Sequence, residues 1–266
     1  MLLQTSFRLA CTAVAISVLA ACSSGPSANI SRIPVKTDQQ TSKEGLFVQE
    51  FGWEHSKPGC DGDCPSIELD SIVFPGVPKL TELVDHALAM MTGLGDSGVP
   101  PYFTIAEYEE YFWKTAAARD SVQLSAKARY RNHSLTVIEL NSWQYFTGAA
   151  HGVSATQFLN WDNTTNKVLN LQKILKPGRY DDYVAALKQA HSTWRSTQPD
   201  AQRDPETFNR MWPFQVSENF GFTDQGLVVK YDSYQLAPYS SGQPELLVPY
   251  AALQDILRPE FIPAGS

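Results

Sequence analysis

From residue 45 onward the chain switches between two hydrophobic spacings. Gly45–Trp53 and Ser66–Phe74 read as strands, the second with Ile67, Leu69 and Ile72–Phe74 apolar and β-prone. After Pro78 the spacing becomes helical: Leu80, Leu83, Val84, Ala87, Leu88 and Met91 share one face, with Gly93 placed to cap the C-terminus. A loop is expected over Gly95–Pro101. Thr104 with Glu107 predicts a capping box, its hydroxyl and carboxylate satisfying free backbone N–H groups. The helix it starts turns Tyr108, Phe112 and Thr115 inward and runs to about Ala118. Val122, Leu124, Ala126, Ala128 and Tyr130 alternate with polar residues, the period of a half-buried strand. Leu135–Leu140, continuing through Trp143 and Tyr145 to the Gly148 turn, and Thr156–Trp161 read as further strands, followed by a turn over Asp162–Lys167. Tyr180–Arg195 is a helix with Tyr183, Val184, Leu187 and Trp194 on one face. Asn219–Thr223 and Leu227–Tyr231 form a hairpin about Asp224-Gln225-Gly226. Glu245–Val248 is a last strand, and Pro249 opens a short helix ending near Leu257. Strand groups and helices alternate without regular strand–helix–strand units, so the class expected is α+β, antiparallel sheets with packed helices.

The 266 residues are 43% hydrophobic and 18% charged, ordinary globular composition for one large domain or two intimate ones. The net charge of −7 argues against nucleic acid as the main partner and favours a basic one. The apolar run Leu9–Ala21 is too short to span a bilayer comfortably and suits a signal peptide. It ends in Leu19-Ala20-Ala21-Cys22, which resembles a bacterial lipobox. Cleavage before Cys22 and lipid on its thiol would anchor the chain to a membrane without a spanning helix, an ordinary secretory peptide being the plainer alternative. Ser23 stands where an Asp would follow the cysteine in an inner-membrane lipoprotein, so resemblance to Gram-negative lipoproteins implies the outer membrane, facing the periplasm. Residues 1–21 are thus read as signal peptide and 22–44, rich in Ser, Gln and Thr, as a flexible tether.

Cys11 leaves with the signal peptide, and Cys60 and Cys64 remain. Outside the cytoplasm so close a pair reads as a structural disulfide, worth about 2 kcal/mol before strain. A redox pair would more usually have two intervening residues, and a metal site using Asp61 and Asp63 would need further ligands. Catalytic signatures are lacking: no Gly-x-Ser-x-Gly elbow, His-Glu-x-x-His, Walker loop or Gly-x-Gly-x-x-Gly. Glu109-Glu110 and Asp181-Asp182 are adjacent helix residues and point apart. His55, His86, His133 and His191 share no motif and read as structural or exposed. Trp143, Trp161, Trp194 and Trp212 could stack on sugars, though tryptophans of this kind usually fill cores. The chemistry therefore calls for no cofactor and no metal, and the expectation is a protein that is not an enzyme.

Three segments resemble the DUF3298 domain. Gly148-Ala149-Ala150-His151-Gly152 with Asn160-Trp161-Asp162 is similar to its glycine–histidine turn and following strand; Asn166-Lys167-Val168-Leu169-Asn170-Leu171 is similar to its next step, with Asn166 in place of the usual Gly. The most specific runs from Phe220 through Gly226-Leu227 and Leu236-Ala237-Pro238-Tyr239-Ser240-Ser241-Gly242 to Val248-Pro249-Tyr250. Residues 45–150 resemble the DUF4163 domain more weakly, leaving 151–258 as the DUF3298 domain and 259–266 as a tail. The resemblance implies the RsiV-like family, which includes a membrane anti-sigma factor with a lysozyme-binding outer domain. Relatives sit beside a peptidoglycan deacetylase domain. No sigma factor is expected as partner here, because a lipobox replaces the cytoplasmic segment. By that resemblance the chain is a binding module for lysozyme or another peptidoglycan-active protein, with His151, Pro238 and Tyr239 as binding candidates. For His151 the plainer reading is a side chain that holds its own turn, and for Tyr239 a hydroxyl that staples the loop is an equal alternative. An envelope enzyme using His151 and a carboxylate, or a structural lipoprotein without a ligand, are the alternatives.

Overall fold

The computed structural model describes residues 41–42, 45–93 and 102–263. The signal peptide, Cys11, Cys22, most of the tether and the loop expected at 95–101 lie outside the described residues. The chain enters through a minimal hairpin, β1 (Thr41–Ser42) with β2 (Gly45–Leu46). It then builds β3 (Gln49–Ser56), β4 (Ser66–Val73), β5 (Ser121–Arg131), β6 (Leu135–Tyr145), β7 (Val153–Asp162) and β8 (Lys167–Leu169), which form one six-stranded sheet in sequence order. Every neighbour pair is antiparallel except β4 and β5. Parallel strands need a long crossover, and α1 (Pro78–Met90) and α2 (Ile105–Thr115) lie within it. The hydrophobic spacing located these helices without revealing the parallel pair they connect.

The two helices cover one face of this sheet. Leu80, Val84 and Leu88 of α1 and Ile105, Tyr108 and Phe112 of α2 close over Ile67, Leu69, Val122, Leu124, Ile138 and Leu140. Alternation assigns the intervening residues to the opposite face. Thr104 caps α2 by accepting from Glu107 N–H at 3.1 Å, but the Glu107 carboxylate accepts from Phe103 N–H at 2.6 Å, one residue earlier than a capping box requires. The helix stops at Thr115, which is exposed and donates to Tyr111 O, not to the core. Likewise α1 is closed by Met91, not Gly93, with the Thr92 hydroxyl donating to Ala89 O. A bulge between Ala128 and Tyr130 leaves Ala128 exposed, interrupting the alternation expected there.

The C-terminal part forms a second layer. β9 (Phe220–Phe222), β10 (Gly226–Lys230) and β11 (Glu245–Pro249) make a three-stranded antiparallel sheet of order β11-β10-β9. Before it come the single turn α3 (Leu171–Ile174), the long α4 (Tyr180–Ser196), and the short α5 (Pro199–Arg203) and α6 (Pro205–Met211); after it comes α7 (Tyr250–Leu253). The α5–α6 pair has no counterpart in the hydrophobic pattern. One face of the small sheet, with Phe222, Leu227, Val229 and Leu246, joins Tyr183 and Leu187 of α4 in a second core. Its other face meets the large sheet, where Phe158 lies against Gly221; a Cβ on Gly221 would come within 2.9 Å of that ring. Asn160 staples the layers: its amide donates to Phe220 O at 2.7 Å. Cys60 and Cys64 are disulfide-bonded in the exposed β3–β4 turn. The join placed at residues 150/151 lies in the β6–β7 hairpin of a continuous sheet.

Candidate binding cleft

The small sheet covers only part of the large one. The uncovered part is the floor of a cleft of about 530 Å³. Strand register sets that floor. Glu68, Gln123, Trp143 and Ser154 lie directly opposite one another across β4, β5, β6 and β7, and Asp70, Ser125, Asn141 and Thr156 form the next rung. All but Thr156 line the cleft. Gln123 donates to Glu68 at 3.0 Å, and Lys127 pairs with Asp70 at 3.4 Å. The wall comes from the C-terminal layer, through Ser233, Tyr239, Gly242 and Gln243. Ser154 and Ser233 hydroxyls meet at 3.2 Å where wall and floor join.

The wall is held by side chains that complete the free edge of β7. Asp232 accepts from Thr156 N–H at 2.7 Å; Asn219 accepts from Phe158 N–H at 2.7 Å and donates to Thr156 O at 3.0 Å. Capping an edge strand in this way removes a row of unpaired backbone groups. Burial pushes the Asp232 carboxyl above the ordinary carboxylate value, against the opposing pull of Thr156 N–H and Lys230. Deeper between the sheets, Lys230 is buried and bonded to Glu139. Arg129 bridges Glu139 at 3.2 Å and Glu245 at 2.8 Å, joining β5, β6 and β11 in one ionic network. Burial alone would raise the Glu139 carboxyl, but the Lys230 hydrogen bond and charge, then Asn141 and Arg129, hold it below the usual range.

At the rim the structure brings together two of the three binding candidates. His151 and Tyr239 stack at 4.5 Å between ring centroids, 25° from parallel. The Gly152 carbonyl can only accept, so the 2.9 Å contact from His151 Nδ1 places a proton on that nitrogen. In the neutral ring Nε2 then accepts from the Tyr234 hydroxyl at 3.1 Å. Its two partners are thus a carbonyl and a phenol, not the carboxylate that an acid/base pair would use. Tyr234 adopts φ = 70°, a conformation costly for a side chain of its size, and is exposed. It stacks with Trp212 at 6.2 Å, extending the aromatic rim toward exposed Met211. Pro238 sets the turn that presents Tyr239, capping the short 3₁₀ segment Tyr239–Ser241, and Gly242 closes it with φ = 68°. The Tyr239 ring is half-buried against His151, and among the described residues its hydroxyl makes no hydrogen bond, so it staples nothing. Gly152 has a separate reason: a Cβ there would lie 2.3 Å from the Trp143 indole.

Of the other residues singled out in the sequence, Trp143 lies on the floor and Trp212 in the rim, and the rest lie apart. His55 contacts Glu109 at 2.9 Å and stacks on Trp53. His191 is buried beside Trp194 and Phe214, and Trp161 is core. Among the described residues no group of His, Cys, Asp and Glu could hold a metal ion. The polar groups of the floor and Tyr234 escaped the sequence reading. Glu68, Gln123 and Asn141 are the polar phase of strands whose apolar phase is core, a pattern shared with any solvated sheet face. Tyr234 sits in a stretch without periodicity.

The profile of the family described as "Protein of unknown function (DUF3298)" matches residues 172–251. No curated protein matches the chain. The crystal structure of a DUF3298 family protein from Pseudomonas aeruginosa PAO1 is similar with a TM-score of 0.76 and 35% identity, over 84% of this chain and 99% of that one. A DUF3298 member from Bacteroides fragilis NCTC 9343 shares the fold at 20% identity and a TM-score of 0.59, over 81% and 95% of the two chains. With its layered sheets and its motif loops gathered on one cleft, the chain belongs to the DUF3298 family.

Proposed function

We propose that this chain is a non-catalytic recognition module that grips a protein partner with the aromatic rim formed by His151, Tyr234, Tyr239 and Trp212. The observation that carries this reading is the stacking of His151 on Tyr239, which turns two distant motifs into one semi-exposed platform. Aromatic residues with an apolar body and a polar tip are the usual anchors of protein interfaces. The rim is aromatic, while the chain as a whole carries −7, which favours a cationic partner and speeds its encounter. A basic lysozyme or another peptidoglycan-active protein fits that description and agrees with the RsiV-like resemblance. The lipobox at Leu19–Cys22 supports an outer-membrane lipid anchor placing the rim in the periplasm, and labelling with palmitate that Cys22→Ser abolishes would test it.

Calorimetry with hen lysozyme tests the partner. The expected result is saturable binding that weakens with salt. Tyr239→Ala or Tyr234→Ala should each cost about 2 kcal/mol, roughly thirty-fold in Kd, as truncation of an interface anchor does. No heat from a folded, disulfide-intact chain would remove lysozyme from the reading.

A further inference from the structure

We infer that the cleft floor is a carbohydrate-binding site for a neutral oligosaccharide, an inference that goes beyond the protein-partner reading and stands without it. The floor offers what sugar recognition needs. Glu68 and Gln123 on one rung and Ser125 on the next keep donors and acceptors for sugar hydroxyls, Asn141 being engaged by Glu139 and Lys230, and Trp143 gives an apolar surface for the C–H face of a sugar. The register sets these groups on two rungs of a rigid sheet, so little is left to be ordered on binding. Hydrogen-bonding capacity is also left over. Among the described residues the side chains of Ser125 and Gln243 make no hydrogen bond, and the Glu68–Gln123 pair leaves one carboxylate oxygen and the amide oxygen for a ligand.

Charge narrows the ligand class. Glu68 and Asp70 oppose phosphate or carboxylate ligands, and Lys127 already offsets Asp70. The cleft volume of about 530 Å³ lies within the usual range for small-molecule sites, about 300–1,000 Å³. It is also open along the sheet, which suits a chain of rings over a single compact cofactor.

The test is calorimetric titration of the full chain in detergent with chitotetraose, cellotetraose and maltotetraose. Saturable binding to at least one is expected, with Gln123→Ala and Trp143→Ala each weakening it about ten-fold, the size of one lost hydrogen bond or ring contact. Gln123 is exposed, so its variant remains informative if Trp143→Ala misfolds. Tyr234→Ala, on the rim and away from the floor, should leave saccharide affinity unchanged while weakening the protein partner, so that the two readings fail separately. No binding of any of the three sugars by the folded chain overturns the proposal. Binding untouched by Gln123→Ala and Trp143→Ala overturns it as well, because the sugar then sits elsewhere. Tetralysine binding that Glu68→Gln abolishes, without saccharide binding, would make the floor a cationic-peptide site instead.

Discussion

On β5, Leu124 is buried in the apolar core beneath the helices, while Ser125, one residue along, faces the cleft. The same contrast holds along the strands on either side. The helix-covered face is joined by interchangeable apolar contacts, and the opposite face by Leu135, Val137 and Phe158 together with a few polar groups that must meet in one geometry. Apolar packing tolerates repacking if volume is kept, whereas a buried charge tolerates nothing that removes its partner. The first face therefore supplies stability, and the second fixes how the C-terminal layer sits and hence where the cleft wall stands.

The sharpest way to break that contrast is Lys230→Met. It leaves Glu139 buried beside an apolar side chain, with Arg129 its remaining cationic partner, and such a half-broken buried pair costs about 3–5 kcal/mol. The double variant Lys230→Met with Glu139→Leu should recover most of the loss, since a well-packed apolar pair replaces an ion pair at little cost. Urea denaturation of both variants decides between a network that merely stabilises and one that also orients. In the second case the double variant is stable yet loses ligand binding.

Within one strand the comparison can be made residue against residue. Leu124→Ala removes buried methyl groups and should cost about 2–5 kcal/mol. Ser125→Ala should fall within about 0.5 kcal/mol of the parent, because its hydroxyl supports nothing in the fold. Equal losses from the two would mean that the cleft face is structural after all.

That asymmetry also explains what could be read in advance. The helix-covered face announces itself as periodicity, so α1, α2, α4 and the longer strands were legible near their true positions, whereas β1, inside the expected tether, and the short β8 were not. His151 and Tyr239 were legible through family resemblance, but their contact was not, since 88 positions of chain separate them and only the packing of the small sheet on the large one closes the distance. The parallel β4–β5 pairing was hidden because both strands carry the same alternation that an antiparallel pair would. Lys230 and Glu139 look like ordinary strand charges until the two sheets are stacked.

Gly152→Ala should have a smaller effect, about 1–3 kcal/mol, since the new methyl group must displace the Trp143 indole. Its value lies in where the displacement falls. Trp143 is on the cleft floor, so the variant should blue-shift or quench tryptophan emission and weaken saccharide binding while leaving the helix-covered core unchanged by hydrogen exchange. Unchanged binding would detach Trp143 from the site.

The smallest expected effect is a slope, not a step. His191 on α4 is buried against Trp194 and Phe214, and its Nε2 makes no hydrogen bond. Burial first, and then the Arg195 charge, hold its pKa below the ordinary 6.5. The native state therefore keeps the ring neutral where the unfolded chain takes up a proton. The stability that depends on the neutral ring is complete above pH 6.5 and declines as pH falls from there toward the lower native value. Glu139 acts in the same direction but in a more acidic window: its native pKa is below the ordinary 4.5, so its contribution holds above that value and is lost only as pH drops through it. Urea midpoints measured between about pH 8 and 5 should fall on acidification in the parent and stay level in His191→Phe, which removes the titrating ring and keeps the aromatic packing. A slope that survives His191→Phe would place the acid sensitivity of that range outside the layer around α4, and outside Glu139, whose contribution is constant there.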